Sequence, residues 1–167
     1  MAIKVTIEGP GTTVVGPTLD EYTKDTRNAD KYSTAITFAK DNKALLEASR
    51  KAIEAVAEEA TKTTWGGKQP RDIYACLRDG DHDRPDNTLF ADKFFCNAKT
   101  SKTPVLLTSD GQPADASAFV TGTPVRAEIS FYGYNYMGRI GVAVGLERLW
   151  LDDAPEQSSV PLDEDDF

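Results

Sequence analysis

The chain has little from which to build a metal centre, a nucleophilic triad or a membrane span. It carries one histidine, His82, and two cysteines, Cys76 and Cys96, in 167 residues. Without a second histidine or a suitably spaced cysteine pair, zinc is not expected. Without a G-x-S-x-G turn, His82 has no nucleophile to serve. The start, Met1-Ala2-Ile3-Lys4-Val5, lacks a long apolar secretory stretch, so the cysteines read as free, part-buried thiols rather than a disulfide. No apolar run approaches the length that crosses a bilayer. A cytosolic chain without a membrane partner is the expectation. At 40% hydrophobic and 28% charged residues, the composition fits one domain with its own core.

Positive charge is also scarce, with a net charge of -8. Its distribution matters more than its size. Asp152, Asp153, Glu156, Asp163, Glu164, Asp165 and Asp166 sit in the last stretch, 152–167, which has no Lys or Arg. Setting those seven aside leaves 20 acids against 19 bases in the body. A near-neutral body can carry a basic groove on one face, and the acidic segment is a separate device. That segment ends Asp163-Glu164-Asp165-Asp166-Phe167, and the terminal aromatic ring serves no solubilising purpose.

What the chain does have is alternation. I-K-V-T-I near the start and T-T-V-V between Pro/Gly breaks are short strand candidates. Residues 22–30 are polar and loop-like. In K-Y-S-T-A-I-T-F-A-K, Tyr32, Thr34, Ile36 and Phe38 share one side. A helix is expected over 42–62, capped by Asp41 or Asn42, with Leu45, Ala48, Ala52, Val56 and Ala60 on its apolar face. Glu47 and Lys51 form an i,i+4 pair, and Gly66-Gly67 ends the element. Residues 65–90 are the longest irregular stretch. Phe94, Cys96 and Ala98 then oppose Lys93, Phe95, Asn97 and Lys99, and P-V-L-L-T runs into the turn S-D-G-Q.

Two long strands close the domain. Val125, Ala127, Ile129 and Phe131 form one face, and Arg126, Glu128, Ser130, Tyr132, Tyr134 and Tyr136 form the other, provided Gly133 does not bulge. Ile140, Val142, Val144 and Leu146 point inward on the next strand, leaving Gly141, Ala143, Gly145 and Glu147 outside. The expected fold is mainly β. It is an OB-like barrel of five or six strands over residues 1–151, with one long inserted helix and a flexible acidic tail, 152–167. A β-sandwich is the alternative.

The tyrosine row beside small residues makes a trough on which bases can stack without sequence preference. Tyr132, Tyr134 and Tyr136 are the stacking candidates, with Phe95 and Trp65 behind them. Arg126, Lys93, Lys99 and Arg139, with Lys102 nearby, are the phosphate candidates. The competing reading packs the tyrosines under a loop or in a protein interface, which would make this an interaction or virion structural module. Asp79, Asp81 and Asp83 open like a calcium loop. Arg84 stands where that loop requires Gly, and Phe90 where it requires Glu, so a salt-bridged loop is expected and no metal or cofactor. A nuclease built on those acids is the remote alternative.

W-G-G-K-Q-P, L-R-D-G-D-H-D-R-P-D, F-F-C-N-A-K, D-G-Q and the ending D-E-D-D-F together resemble the tailed-phage single-stranded-DNA-binding proteins, long catalogued as a domain of unknown function. More distantly, the alternating strand before the helix and the acidic tail ending in Phe are similar to the replication protein of T7-like phages. The resemblance implies an OB-fold, non-enzymatic and sequence-tolerant binding of single-stranded DNA in replication or recombination, and homodimers. It further implies a tail that contacts replication partners, a polymerase or helicase. Because a string of carboxylates resembles a strand's phosphates and a terminal ring resembles a base, Asp163–Phe167 is expected to lie in the groove when DNA is absent; a solubilising tail is the alternative. The cytoplasm of an infected bacterial host is then the expected location.

Overall fold

The computed structural model describes residues 2–18 and 32–152. The polar stretch 22–30 and, beyond Asp152, the acidic tail lie outside the described residues. Among the described residues eight strands, rather than the expected five or six, make one sheet. They are β1 (Ala2–Ile7), β2 (Val14–Thr18), β3 (Tyr32–Ala39), β4 (Arg78–Asp79), β5 (Lys93–Thr100), β6 (Val105–Leu107), β7 (Val125–Tyr136) and β8 (Arg139–Leu151). Their order is β1-β7-β8-β5-β3-β2, with β4 added to β5 and β6 to β8. The sheet returns on itself where β2 meets the entry to β7. There the Val14 amide donates to the Thr123 carbonyl at 3.1 Å, and the Val125 amide to the Thr12 carbonyl at 3.0 Å. The result is a small OB-like barrel. β4 escapes sequence reading because two residues cannot show a period. It exists because Arg78 and Asp79 pair with Phe95 and Phe94.

Alternation sets the inside of the barrel. Val125, Ala127, Ile129 and Phe131 of β7 are fully buried, and Val142, Val144, Leu146 and Leu149 of β8 join them. Phe38 and Ile36 of β3 meet Phe94 and Cys96 of β5 on the same side. The register runs unbroken through Gly133, which pairs with Val142. The irregularity falls earlier, between Glu128 and Ile129, where Glu147 is the extra residue of a bulge in β8. Gly133 faces inward, and a Cβ there would lie 2.7 Å from the Ala60 Cβ.

One long helix, α1 (Lys43–Lys62), packs against β1, β7 and β8. Asn42 rather than Asp41 caps it, its Oδ1 accepting the Leu45 amide hydrogen at 3.3 Å. The buried stripe is Leu45, Ser49, Ala52, Ile53, Val56, Ala57 and Ala60. Ala48, expected inside, is exposed, because the stripe passes through Ser49 to Ile53. The Glu47–Lys51 pair forms at 3.2 Å on the exposed face, where such pairs contribute little. Among the described residues no helix is long and apolar enough to cross a membrane.

The tight seat of Gly133 gives a direct test of the packing. Gly133→Ala forces β7 away from Ala60 and should destabilise the fold by about 1–3 kcal/mol, the usual penalty of overpacking. Urea unfolding measures it, and an unchanged midpoint would contradict the close approach of helix and strand.

Candidate nucleic-acid interface

A strand that buries one row of side chains presents the other row to the opposite face. The outward row of β7 includes Ser130, Tyr132 and Tyr134, which pair across the ladder with Gly145, Ala143 and Gly141 of β8. Glycine and alanine leave the floor low. A Cβ on Gly141 would fall 2.8 Å from the Tyr134 hydroxyl, and one on Gly145 would fall 2.8 Å from the Ser130 hydroxyl. The floor continues sideways. Lys99 of β5 lies beside Gly145, and Ser33 and Ala35 of β3 face Lys99 and Asn97.

Three adjoining hollows, about 460, 310 and 220 Å³, cross this face. Lys99 lines all three, Tyr132 lines the first and third, and Asn97 the second and third. They form one trough running from β7 to β2. Lys102, Arg78 and Arg84 also border it, and Glu147 is the acid at its β8 side. The Glu147 carboxylate accepts the Ser130 hydroxyl at 2.8 Å. Tyr132 is half-buried in the trough wall, and that burial raises its hydroxyl pKa above the ordinary value.

Beyond Tyr132 the β7–β8 hairpin continues as an arm. Tyr134 is 38% exposed, and Tyr136, at 70%, lies at the tip opposite Arg139. The arm is tied to the end of α1. The Trp65 indole N–H donates to the Tyr134 carbonyl at 3.0 Å, and the Asn135 side-chain amide donates to the Thr64 carbonyl at 3.1 Å.

Other expected site residues sit elsewhere. Trp65 is 2% exposed and is an anchor of the arm, with no face for a base. Phe95 belongs to the trough side of β5, yet it is fully buried under Phe90 in an edge-on pair at 4.7 Å. Lys93 is half-buried and donates to the Gly11 carbonyl at 2.7 Å, and its desolvation lowers its pKa. Arg126 lies toward the other end of β7, its guanidinium 4.5 Å from the Trp150 ring centre. Tyr132 and Lys99 therefore share the trough, Tyr134, Tyr136 and Arg139 share the arm, and Trp65, Phe95, Lys93 and Arg126 join neither.

Arg78, Arg84 and Asn97 border the trough and were missed in reading the sequence for it. Asn97 could have been found, since it alternates with Lys99. Arg84 could not, because it stands outside any strand.

The acidic loop is salt-bridged, as its composition suggests. Lys40 Nζ lies 2.7 Å from both Asp79 Oδ1 and Asp81 Oδ2. Hydrogen bonds to that ammonium hold both carboxyls below their ordinary pKa. Asp83 takes His82 Nδ1 at 2.9 Å and Arg78 Nε at 2.7 Å. The three acids are engaged by cations of the chain itself.

Residues 19–167 match the family described as "Enterobacter phage Enc34, ssDNA-binding protein". The structure is similar to that of the single-stranded DNA-binding protein from bacteriophage Enc34 in complex with ssDNA. The TM-score is 0.74 at 20% identity, over 92% of this chain and 88% of that one. The C-terminal truncation of the same phage protein gives 0.73 at 21% identity, with the same coverage. Gp2.5, a single-stranded DNA-binding protein encoded by bacteriophage T7, gives 0.53 at 13% identity, over 100% and 98% of the two chains. At these identities the structural likeness is one of fold. No curated protein matches the chain.

The Asp83 contact sets the behaviour of the one histidine. The hydrogen bond to Asp83 raises the His82 pKa above its ordinary 6.5. A raised folded-state value means that this contact stabilises fully below 6.5 and fades as pH rises through the folded-state pKa. Titration of the imidazole by NMR should give a midpoint above 6.5, and Asp83→Asn should bring it back. A midpoint unmoved by Asp83→Asn would contradict this pairing.

Proposed function

The chain belongs to the family of the Enterobacter phage Enc34 ssDNA-binding protein, and from that membership and the trough we propose that it binds single-stranded DNA without sequence preference. The observation that carries the reading is the placement of Tyr132 and Lys99 on one trough floored by glycine, alanine and serine. A flat ring stands beside a cation, and among the described residues the strand floor between them is built of small side chains. Bases stack on Tyr132, and the strand continues along the arm past Tyr134 and Tyr136. Lys99, Lys102 and, at the tip, Arg139 hold phosphates. No base edge has to be read, so the binding tolerates any sequence, and no bond is made or broken.

This suits a protein that coats and protects exposed single strands during phage replication or recombination in the cytoplasm of an infected bacterial host. Homodimers belong to the same reading. The tail through Asp163–Phe167 carries the contacts to polymerase or helicase. Its carboxylates imitate phosphates and its terminal ring imitates a base, so it competes with weak ligands for the trough.

Fluorescence titration with labelled oligonucleotides tests the core claim. Single-stranded DNA should bind, duplex should compete poorly, and affinity should fall as salt rises. Tyr132→Ala should cost about 1–3 kcal/mol of binding, the worth of one stacked base. Wild-type protein that ignores single strands at low salt would refute the reading. Removing residues 153–167 should tighten binding, and unchanged or weaker affinity would rule out competition by the tail.

A further inference from the structure

Among the described residues the hollow at the β2–β3 end of the trough is lined by no tyrosine, yet it has a cationic surface. Arg84 borders it with Gly16, Ser33, Ala35, Asn97 and Lys99. The guanidinium carbon lies 5.4 Å from the Phe95 ring centre and 5.9 Å from that of Phe90. Its Nη1 donates to the Asp83 carbonyl at 3.0 Å. The guanidinium thus stands over two buried rings, while the residue itself remains exposed and lines the hollow. Among the described residues it makes no ion pair.

The segment that presents Arg84 is held by several hydrogen bonds. Asp79 accepts the Asp81 amide at 3.0 Å, and Asp81 Oδ1 accepts the Asp92 amide at 3.0 Å. The Arg84 amide closes the single helical turn α2 (Gly80–Asp83) onto the Gly80 carbonyl at 2.9 Å. Gly80 is pressed so close to the backbone leading into β5 that a Cβ would lie 2.2 Å from the Phe90 carbonyl oxygen and 2.8 Å from that of Lys93. Arg78 and Lys40 neutralise the acids on either side, which leaves the Arg84 charge to the hollow. The acidic loop therefore reads as a bracket whose product is one positioned guanidinium.

We propose that Arg84, lying on Phe90 and Phe95, is a second base-stacking platform of the trough, with Lys99 beside it to take the adjoining phosphate. A guanidinium backed by rings offers a base both a planar face and a charge. Tyr132 lies about three strand spacings away, roughly 15 Å, so the two platforms hold different nucleotides of one strand. The proposal rests on the single-strand reading of the trough.

The test uses the full chain and two probes, an oligo(dT) and an equal length of abasic deoxyribose-phosphate. Arg84→Lys keeps the charge and removes the plane, and Arg84→Ala removes both. Stacking predicts that Arg84→Lys weakens oligo(dT) binding roughly tenfold, within the range for one stacked base. The same change should leave abasic binding within about twofold of wild type. Arg84→Ala should weaken both probes and lower the salt slope by about 1. Thermal melts of both variants establish that they fold. If folded Arg84→Lys binds oligo(dT) as wild type does, the platform is refuted and Arg84 is at most a charge. If both variants match wild type while Tyr132→Ala weakens binding, the inference fails and the function stands. If wild type binds neither probe, the functional reading itself fails.

Discussion

The antiparallel ladder between β7 and β8 is the constraint on which the other features depend. It runs from Val125↔Leu151 to Tyr136↔Arg139. One of its faces must be bulky to fill the barrel, and the other must be low to leave a trough. A slip of one residue would exchange the faces, exposing Ile129 and Phe131 and burying Tyr132. The bulge at Glu147 reconciles the ladder with the core. It allows Leu146 and Leu149, three residues apart, both to point inward, which strict alternation forbids. The same bulge brings Glu147 beside Ser130, so the acid at the rim is already hydrogen-bonded.

The second determinant is electrostatic and local. Asp79, Asp81 and Asp83 would oppose a polyanion if they faced the trough unpaired. Lys40, Arg78 and His82 engage them instead, and the geometry that results fixes the loop. Exposed ion pairs contribute little to global stability, so the significance of this network lies in position rather than energy. It sets the place of Arg84 as firmly as the Trp65 indole sets the place of the Tyr134 backbone. The barrel thus carries two appendages, the loop at one end of the trough and the hairpin arm at the other, each tied back by specific hydrogen bonds.

Most of the barrel was legible because its elements are long and alternate cleanly. The inward rows of β3, β5, β7 and β8 follow from period two alone. The helix was legible from its cap and stripe, apart from the rotation that exposes Ala48. The L-E-R-L spacing at 146–149 signals the bulge, but only once Leu149 is known to be buried. Phe95 and Trp65 were misplaced for one shared reason. An aromatic side chain is exposed only if nothing covers it, and no strand period announces the covers: Phe90 and Arg84, outside any strand, for Phe95, and the β7–β8 arm, far away in sequence, for Trp65. Lys93 and Arg126 fell outside the trough because strand alternation gives a face, while position along the strand decides which part of that face is reached.

A net charge of -8 is compatible with a nucleic-acid trough. At physiological salt, charges are screened over about 8–10 Å, so a bound strand responds to the groups lining its path rather than to the total. Along that path Lys99 is central, with Lys102 and Arg84 on either side, while Asp83 offsets Arg78 and the Ser130 hydroxyl engages Glu147. Much of the excess acid is carried by the terminal stretch, separate in sequence from the strands of the barrel. Cations so few and so closely grouped give modest electrostatic holding. In the proposed binding mode, retention of a single strand then depends on planar surfaces, which duplex, with its bases already stacked, cannot use. On the proposed reading the low floor of glycine and alanine gives those surfaces access to a base, which makes the smallest residues of β8 part of recognition together with the rings beside them.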